Sequence, residues 1–310
     1  MISDRPLQLA LILLIEAAVG YPDAVYRRVR HPVVWMGRAI AALDRSWNKG
    51  CEAARRIAGV AAVVALVSVV GMCGWALEQF ALAWEPAILL LIFAGTAMLA
   101  QRSLHEHVSA VLRPLESGDL AAAREAVGRI VGRDTHELDS QGVATAAVES
   151  LAESFCDGIV APAFWFLVAG LPGLFICKLI NTADSMIGHR DARHRAFGWA
   201  AARADDLMNL VPARLAGLLI CVAGVRGVRV MLRDAPHHAS PNAGWPEAAM
   251  AGALGRQLGG SVSYDGVPAH RPLLGKGPRP DAHSLRAGRR VYWRACVLLW
   301  LAVGVLAWPQ

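Results

Sequence analysis

The stretch that decides the fold class is 57–80, IAGVAAVVALVSVVGMCGWALEQF, which carries no charged residue before Glu78. About 20 apolar residues in a helix are enough to cross the hydrocarbon core of a bilayer, so this stretch predicts a transmembrane helix. The whole chain is 55% hydrophobic and 18% charged, whereas soluble domains average about 25% charged residues. The composition therefore indicates a membrane protein.

Other apolar runs predict further spans at 86–101 and 291–308, with a shorter one at 6–20. The runs 159–180 and 207–225 are interrupted by Pro, Gly or polar residues, which predicts broken helices that re-enter or cross the membrane. Asp119 is a typical N-cap for a helix beginning at Leu120. We expect an all-α, polytopic integral membrane protein with transmembrane and re-entrant helices and cytoplasmic helical loops, forming one domain over 1–310.

The charges indicate an orientation and exclude some functions. Lys and Arg are dense in 21–56 and in 226–290 and absent from 81–85, so the positive-inside rule places the first two segments in the cytoplasm. The net charge of +6 fits anionic lipid headgroups, and we expect no nucleic-acid partner because no nucleic-acid-binding motif is present.

The six cysteines are scattered singly, without the spacing of a zinc site or a disulfide framework.

An acidic stripe is predicted where Glu149, Glu153 and Asp157 recur at every fourth position, which places them on one helix face. A solvated acidic face is one interpretation. The other is a functional site, because the stripe runs directly into the apolar 159–162, where a carboxylate is costly unless a metal or arginine neutralises it.

A magnesium–phosphate site is predicted from two Asp/Asn groups, Asn181 with Asp184, and Asp205 and Asp206 with Asn209. Carboxylate and amide oxygens suit Mg²⁺ that also binds substrate phosphates, although such residues also commonly cap helices. The basic residues between and beside these groups favour the phosphate interpretation; they are Arg190, Arg193, Arg195 and Arg203.

Three further segments carry candidate residues. GRIVGRDT (128–135) offers Arg129 and Arg133, whose guanidinium groups suit phosphates or carboxylates, although a basic helix end is the simpler explanation. SPNAGWPE (240–247) has too many turn formers for an unconstrained helix start. A histidine such as His31, in the basic loop after the first span, is more often structural than catalytic, and the chain has no Walker A loop.

Together these segments resemble the adenosylcobinamide-phosphate synthase (CobD/CbiB) family of cobalamin biosynthesis. The resemblance covers nearly the whole chain and rests on HPVVWMGR (31–38), GRIVGRDT (128–135), ESLAESFCDGIVAP (149–162), KLINTADSMIGHR (178–190), FGWAAARADDLMNLVPAR (197–214) and SPNAGWPEAAMAGALG (240–255). The chain departs from the family pattern at Glu16, Tyr21, Ser154 and His189, and the changes at Tyr21 and Ser154 put those two positions in doubt as ligands.

The resemblance implies a ligation that uses ATP and Mg²⁺ to join adenosylcobyric acid to aminopropanol phosphate or ethanolamine phosphate. It implies an enzyme of the cell inner membrane whose active site faces the cytoplasm, next to other late cobalamin-assembly membrane enzymes. Which segment binds ATP stays open. We expect catalytic roles for Glu149, Glu153, Asp157, Lys178 and Asp184, and metal binding by Asp184, Asp205, Asp206 and Asn209. We expect substrate or phosphate binding by His31, Arg38, Arg129, Arg133, Asp134, Asn181, Arg190, Arg203, Arg214, Asn242, Trp245 and Glu247.

Two alternatives remain at this point. An intramembrane prenyltransferase also holds Mg²⁺-diphosphate with paired Asp-rich motifs, but here the motifs end in different residues and the 240–247 segment is unexplained. A membrane transporter would line its path with the broken helices. Too few clear spans and too much polar sequence argue against it.

Overall fold

The structure is a computed structural model that describes residues 4–21, 28, 30–189, 191–264 and 266–308. Its α-helices are, in chain order, α1 (Arg5–Val19), α2 (Pro32–Trp47), α3 (Glu52–Ala83), α4 (Ile88–Thr96), α5 (Gln101–Ser117), α6 (Leu120–Gly128), α7 (Ser140–Phe155), α8 (Ala161–Ile187), α9 (His194–Phe197), α10 (Trp199–Met208), α11 (Leu210–Ala223), α12 (Val228–Asp234), α13 (Gly244–Leu254) and α14 (Ala282–Leu306). Glu85–Ala87 and Ala235–His237 form 3-10 turns, and Cys156–Val160 forms a π-helical turn.

The helices form two compact units. The first unit comprises Met1–Ala100, Ala161–Asn209 and Val303–Gln310, and the second comprises Gln101–Val160 and Leu210–Ala302. In the second unit α7 is the central helix, since every residue from Val143 to Ala152 is buried. A helix that is buried all round belongs to the core, so α7 is the element on which that unit is built.

Capping residues set where several helices begin. The Asp119 side chain accepts a hydrogen bond from the N–H of Ala122 at 3.0 Å and caps α6, and Asp139 caps α7 in the same way through Gly142 at 2.7 Å. Such side chains satisfy N–H groups that have no partner within the helix. The α7 cap fixes the start of the helix that carries Glu149 and Glu153.

Helix α8 is interrupted at Gly170, inside the break that the sequence predicted over 169–173. Gly170 has φ 66° and ψ −153°, a conformation that only glycine adopts without strain, and Pro172 removes a helical N–H just after it. A Cβ at position 170 would lie 2.2 Å from Oε1 of Glu78 on α3. Glu78 also pairs with Arg5, whose Nε lies 3.4 Å from the same oxygen, so the kink is packed against an ion pair.

Three helical runs are long and apolar enough to cross a bilayer: Glu52–Ala83, Glu85–Ser117 and Ser140–Ile187. A fourth is added if α10 and α11, which meet at a bend, count as one span. The predicted spans 6–20 and 291–308 are not among them within the described residues. Helix α1 has only 15 residues, and α14 ends at Leu306, so every stretch of 18 residues within α14 contains Arg289, Arg290 and Arg294.

One β-hairpin was not predicted from the sequence. Strands β1 (Leu258–Tyr264) and β2 (Val267–Leu274) pair antiparallel, with Ser261 opposite His270. The helical prediction is therefore correct for most of the chain but missed this element in the 226–290 segment. The hairpin is important because it contributes two groups to the cluster described next.

Candidate functional site

A buried carboxylate organises the second unit. Glu149 of α7 is 1% exposed, and its Oε2 accepts hydrogen bonds from Arg133 and from Nη1 of Arg271, the latter at 3.0 Å. Its Oε1 accepts from the backbone N–H of Gly259 in β1 at 2.6 Å. Both oxygens are thus satisfied. Loss of any one donor would leave a buried charge short of a partner, which is strongly unfavourable.

Arg271 of β2 links this carboxylate to a second one. Its Nη2 donates to Oε1 of Glu247 at 2.8 Å and lies 2.9 Å from Nε2 of His238. Glu247 is fully buried in the first turn of α13. We call Arg133, Glu149, His238, Glu247 and Arg271 the buried ion-pair network. Its two carboxylates and two guanidinium groups balance in charge.

Burial opposes that balance at Glu247, whereas the contacts between the arginines and the carboxylates support it. Burial raises the pKa of Glu247 well above its ordinary value, a shift that Arg271 opposes and Glu149 reinforces. Burial acts to lower the pKa of Arg271, but the carboxylates of Glu247 and Glu149 raise it overall, so the guanidinium stays charged. Burial, followed by the charge of Arg271, lowers the pKa of His238 and favours the neutral imidazole.

The predicted acidic stripe is only partly continuous. Glu153 is exposed one turn after Glu149, and its charge acts on both Glu247 and Arg271. Asp157 is half-buried and lies in the π-helical turn Cys156–Val160, so the four-residue spacing that predicted the stripe holds only for the first two residues. Turns of this kind are frequent at functional sites. A catalytic role for these three residues stays a prediction, and the contacts of Glu149 give it a positioning role.

The residues of segment 128–135 make three different kinds of contact. Arg133 belongs to the buried ion-pair network, whereas Arg129 forms an exposed pair with Glu125 at 2.6 Å. Asp134 holds the tip of the hairpin, because its Oδ2 accepts from Oγ of Ser263 at 2.8 Å and from the N–H of Gly266 at 2.9 Å. The segment therefore anchors the hairpin on α7.

Three predicted binding residues meet at the start of α11 and α13. Nη1 of Arg214 donates to Oδ1 of Asn242 at 3.0 Å, and its guanidinium carbon lies 4.5 Å from the centroid of the Trp245 ring. The indole N–H of Trp245 donates to the carbonyl of Pro241 at 3.1 Å, which fixes the ring. A guanidinium held this way is oriented for a phosphate or carboxylate.

The first unit carries the predicted metal-binding residues. Asp206 pairs with Arg203 at 2.9 Å, and both of their charges act on the half-buried Asp184 of α8. Asp205 accepts from Nδ2 of Asn209 at 3.1 Å. Asp184 and Asp206 thus act on one another electrostatically, as a shared site requires. Among the described residues, no three His, Cys, Asp or Glu side chains lie together in a way that could hold one metal ion.

A tight glycine contact fixes the end of α8 beside Asp184. A Cβ on Gly188 would lie 2.6 Å from the Asp184 carbonyl oxygen and 1.9 Å from its Oδ1. The N–H of Gly188 donates to that carbonyl at 2.7 Å. The backbone at the end of α8 therefore packs directly against Asp184, and a side chain larger than that of glycine at position 188 would clash with it.

The remaining predicted residues of this unit are spread out. His31 caps α2 through Val33; burial, followed by the charge of Lys178, lowers its pKa, so His31 and Lys178 interact electrostatically. Asn181 is half-buried on α8, and Arg38 is exposed on α2. Arg190 lies outside the described residues.

Sequence reasoning missed Arg271 and His238, which complete the buried ion-pair network. Both lie in the Pro- and Gly-rich segment after α11, where helical periodicity gives no information. It also missed Asp44 of α2, which accepts from Nη2 of Arg193 at 2.5 Å and Nδ2 of Asn48 at 2.8 Å. Burial alone would raise the pKa of Asp44, but these hydrogen bonds lower it overall.

Comparison with known proteins gives one consistent answer. The family described as CobD/Cbib protein matches residues 9–292. A relative from Rhodobacter capsulatus named cobalamin biosynthesis protein CobD is 49% identical over 298 residues, which cover 94% of each chain. Relatives with the same name from Rhizobium meliloti and Brucella suis are 43% and 42% identical; they cover 100% and 94% of this chain and 99% and 93% of their own lengths. No solved structure matches.

Proposed function

Because this chain belongs to the CobD/CbiB family of cobalamin-biosynthesis enzymes, we propose that it joins adenosylcobyric acid to aminopropanol phosphate or ethanolamine phosphate in an ATP-dependent ligation. The product is adenosylcobinamide phosphate. The observation that carries the proposal is the match to curated relatives over nearly the full length of both chains, at 42–49% identity. At this coverage the aligned region spans every segment that holds a candidate residue.

The proposed chemistry has two steps. A propionate oxygen of the corrinoid attacks the γ-phosphorus of ATP, ADP leaves, and an acyl phosphate forms. The amine nitrogen of the amino-alcohol phosphate then attacks the acyl carbon and loses a proton, and inorganic phosphate leaves as the amide bond forms. The protein must orient both substrates, neutralise phosphate charge and exclude water, and no covalent nucleophile on the protein is needed.

We propose that the acidic side chains of the first unit bind Mg²⁺. Mg²⁺ in nucleotide sites is held by one or two carboxylates together with substrate phosphates, and the interacting Asp184 and Asp206 supply such a pair. We propose that Asp184 and Asp206 hold it, with the hydrogen-bonded Asp205 and Asn209 beside Asp206 in the chain, and its charge would neutralise phosphate oxygens. Arg203 and Lys178 supply further positive charge in the same unit, and Arg203 already orients Asp206.

In the second unit we assign anion recognition to Arg214, which Asn242 and Trp245 hold in place. The buried ion-pair network has a different role. Its carboxylates are engaged by arginines, so it fixes α7, α13 and the hairpin and orients Glu153, the exposed acid beside it. Glu153 and Asp157 remain the candidates of this unit for contact with substrate.

We further propose that the protein resides in the inner membrane with its charged segments in the cytoplasm, where ATP is made. The basic segments 21–56 and 226–290 support this orientation through the positive-inside rule. The lipid bilayer is then a direct partner, and other late cobalamin-assembly membrane enzymes are candidate neighbours.

The test is a product assay with the purified full-length protein. Adenosylcobyric acid, ATP, Mg²⁺ and either amino-alcohol phosphate should give adenosylcobinamide phosphate or its ethanolamine-derived analogue by mass spectrometry, with one ADP released per product. Asp206→Asn should lower the rate about 10²-fold, the scale of one lost transition-state contact. Asp119→Asn is the matched control, because asparagine caps a helix as well as aspartate does. A product formed without ATP, or no product with any of these substrates, would refute the proposal.

A further inference from the structure

A cationic cleft lies in the second unit, and its lining includes none of the candidate residues discussed above. It has a volume of about 420 Å³ and is bounded by the end of α11, the C-terminal turn of α13 and one face of α14. Four arginines line it, Arg226, Arg256, Arg290 and Arg294, together with His283. Its described lining residues include no aspartate or glutamate.

The charge of the cleft is largely uncompensated. Only Arg256 among the four has a carboxylate within 4.0 Å in the described part of the chain, and this is Asp281 at 3.8 Å. Arg226 is anchored differently, because its Nε donates to the carbonyl of Ala253 at 2.9 Å. Arginines gathered in a concave site without matching acids create a strong positive potential, and they suit a phosphate because the guanidinium group donates two parallel hydrogen bonds.

The backbone shapes the rim of the cleft. Val225, just before Arg226, has φ 59°, a left-handed conformation that is unfavourable for a β-branched side chain. Gly227 follows with φ 118°, and a Cβ there would lie 2.9 Å from the Ala249 carbonyl oxygen. The turn that presents Arg226 is therefore held by close packing against α13.

Exposed apolar side chains border the same cleft. Val225 is 87% exposed and Val222 is 62% exposed at the end of α11. On α14, Arg290 and Arg294 are one turn apart, and Val297 and Leu301 continue along that face exposed. A phosphate-binding cleft that opens beside bare aliphatic surface matches a molecule with a phosphate head and acyl chains.

We propose that this cleft binds the headgroup of an anionic phospholipid, with the acyl chains along α11 and α14. A soluble phosphorylated metabolite could bind the arginines through its phosphate, but it has no acyl chains to cover the exposed apolar side chains at the rim. The arginines also suit a lipid surface, since each basic residue near an anionic membrane surface contributes favourably to lipid binding.

The experiment measures lipid retention by the full-length protein in detergent with native mass spectrometry. Phosphatidylglycerol and phosphatidylcholine of equal chain length are added to delipidated protein, wild type or carrying Arg290→Gln and Arg294→Gln. We expect tighter binding of phosphatidylglycerol, weakened about fivefold by each substitution and more than tenfold by both. Arg286→Gln is the matched control, because Arg286 lies on the same helix but pairs with Glu116 at 2.8 Å, outside the cleft.

Further measurements test whether the ligand is a lipid or a soluble phosphate compound, and whether the variants remain folded. Inorganic phosphate and aminopropanol phosphate at millimolar concentration should not displace the lipid, and Arg290→Lys with Arg294→Lys should keep part of the affinity. Equal binding by wild type and the glutamine variants, with unchanged melting temperatures, would overturn the proposal. Displacement by aminopropanol phosphate with loss in the same variants would also overturn it, because the cleft would then be a metabolite site.

Discussion

Arg271→Met should be one of the most destabilising single changes in the second unit. Arg271 is the one guanidinium that contacts both buried carboxylates of the network, at 3.0 Å from Glu149 and 2.8 Å from Glu247. Its loss leaves Glu149 with Arg133 and leaves Glu247 without the guanidinium that contacts it, so the network, with both carboxylates ionised, changes from neutral to a charge of −1. Breaking a buried pair by removing one partner costs about 3–5 kcal/mol.

The matched control is Arg129→Met, which removes the same group from an exposed pair. The Arg129 and Glu125 side chains are 69% and 72% exposed, and exposed pairs contribute only about 0.2–1 kcal/mol. A second, sharper comparison uses Glu247→Gln. Added to Arg271→Met, it returns the network to neutrality, so the double variant should be more stable than Arg271→Met alone.

The assay is thermal unfolding of the purified protein in one detergent at one scan rate, followed by tryptophan fluorescence. At about 2–4 °C per kcal/mol, Arg271→Met should lower the apparent melting temperature by roughly 6–20 °C. Arg129→Met should change it by less than about 4 °C. Equal shifts for the two arginine variants, or no recovery on adding Glu247→Gln, would refute the assignment of a charge-balanced network.

Three other outcomes follow from the structure. Asp184→Asn and Asp206→Asn should each raise the Mg²⁺ concentration for half-maximal activity, and together they should act non-additively; unchanged Mg²⁺ titrations would end the shared-site proposal. Gly170→Ala should sharply reduce the yield of folded protein, because the φ of 66° at Gly170 and the adjacent Glu78 carboxylate exclude a Cβ. Gly304→Ala is the control and should be neutral or stabilising, because a Cβ there would have nothing within 4 Å. Similar yields for the two variants would contradict the strain at the kink. The lowered pKa of His238 means that the unfolded state binds its proton first, so melting temperature should fall as the pH drops below about 6.5. His238→Gln, whose side-chain oxygen can still accept a hydrogen bond from Arg271, should flatten the fall in melting temperature below this pH. An unaltered dependence of melting temperature on pH would show that another group causes it.

The sequence predicted the elements whose signals are local. The long apolar run of α3, the cap at Asp119 and the interruption of α8 near Gly170 all follow from composition or from Gly and Pro within a short window. The family resemblance is confirmed by the full-length relatives. A magnesium-binding role for Asp184, Asp205, Asp206 and Asn209 stays a prediction.

Contacts between residues far apart in sequence could not be predicted in this way. Glu149 looked like part of an exposed or functional acidic stripe, but its partners Gly259 and Arg271 lie 110 and 122 residues further along the chain. The strands that bring them lie in a segment rich in turn formers, and single-sequence patterns say nothing about where a short hairpin docks. The π-helical turn at Asp157 was likewise invisible, because one extra residue in a helical turn leaves no compositional trace.

The distance in sequence between Glu149 and Arg271 has a consequence for how the protein is made. At about 5–20 residues per second, roughly 6–25 s pass between the synthesis of Glu149 and that of its second arginine. Throughout that interval α7 carries a carboxylate with only Arg133 available to neutralise it, so the helix cannot reach its native buried position before the hairpin emerges. Nascent chains stalled or truncated before β2 should therefore be recognised by quality-control proteases as incompletely folded, even when all of α7 and α8 have been translated.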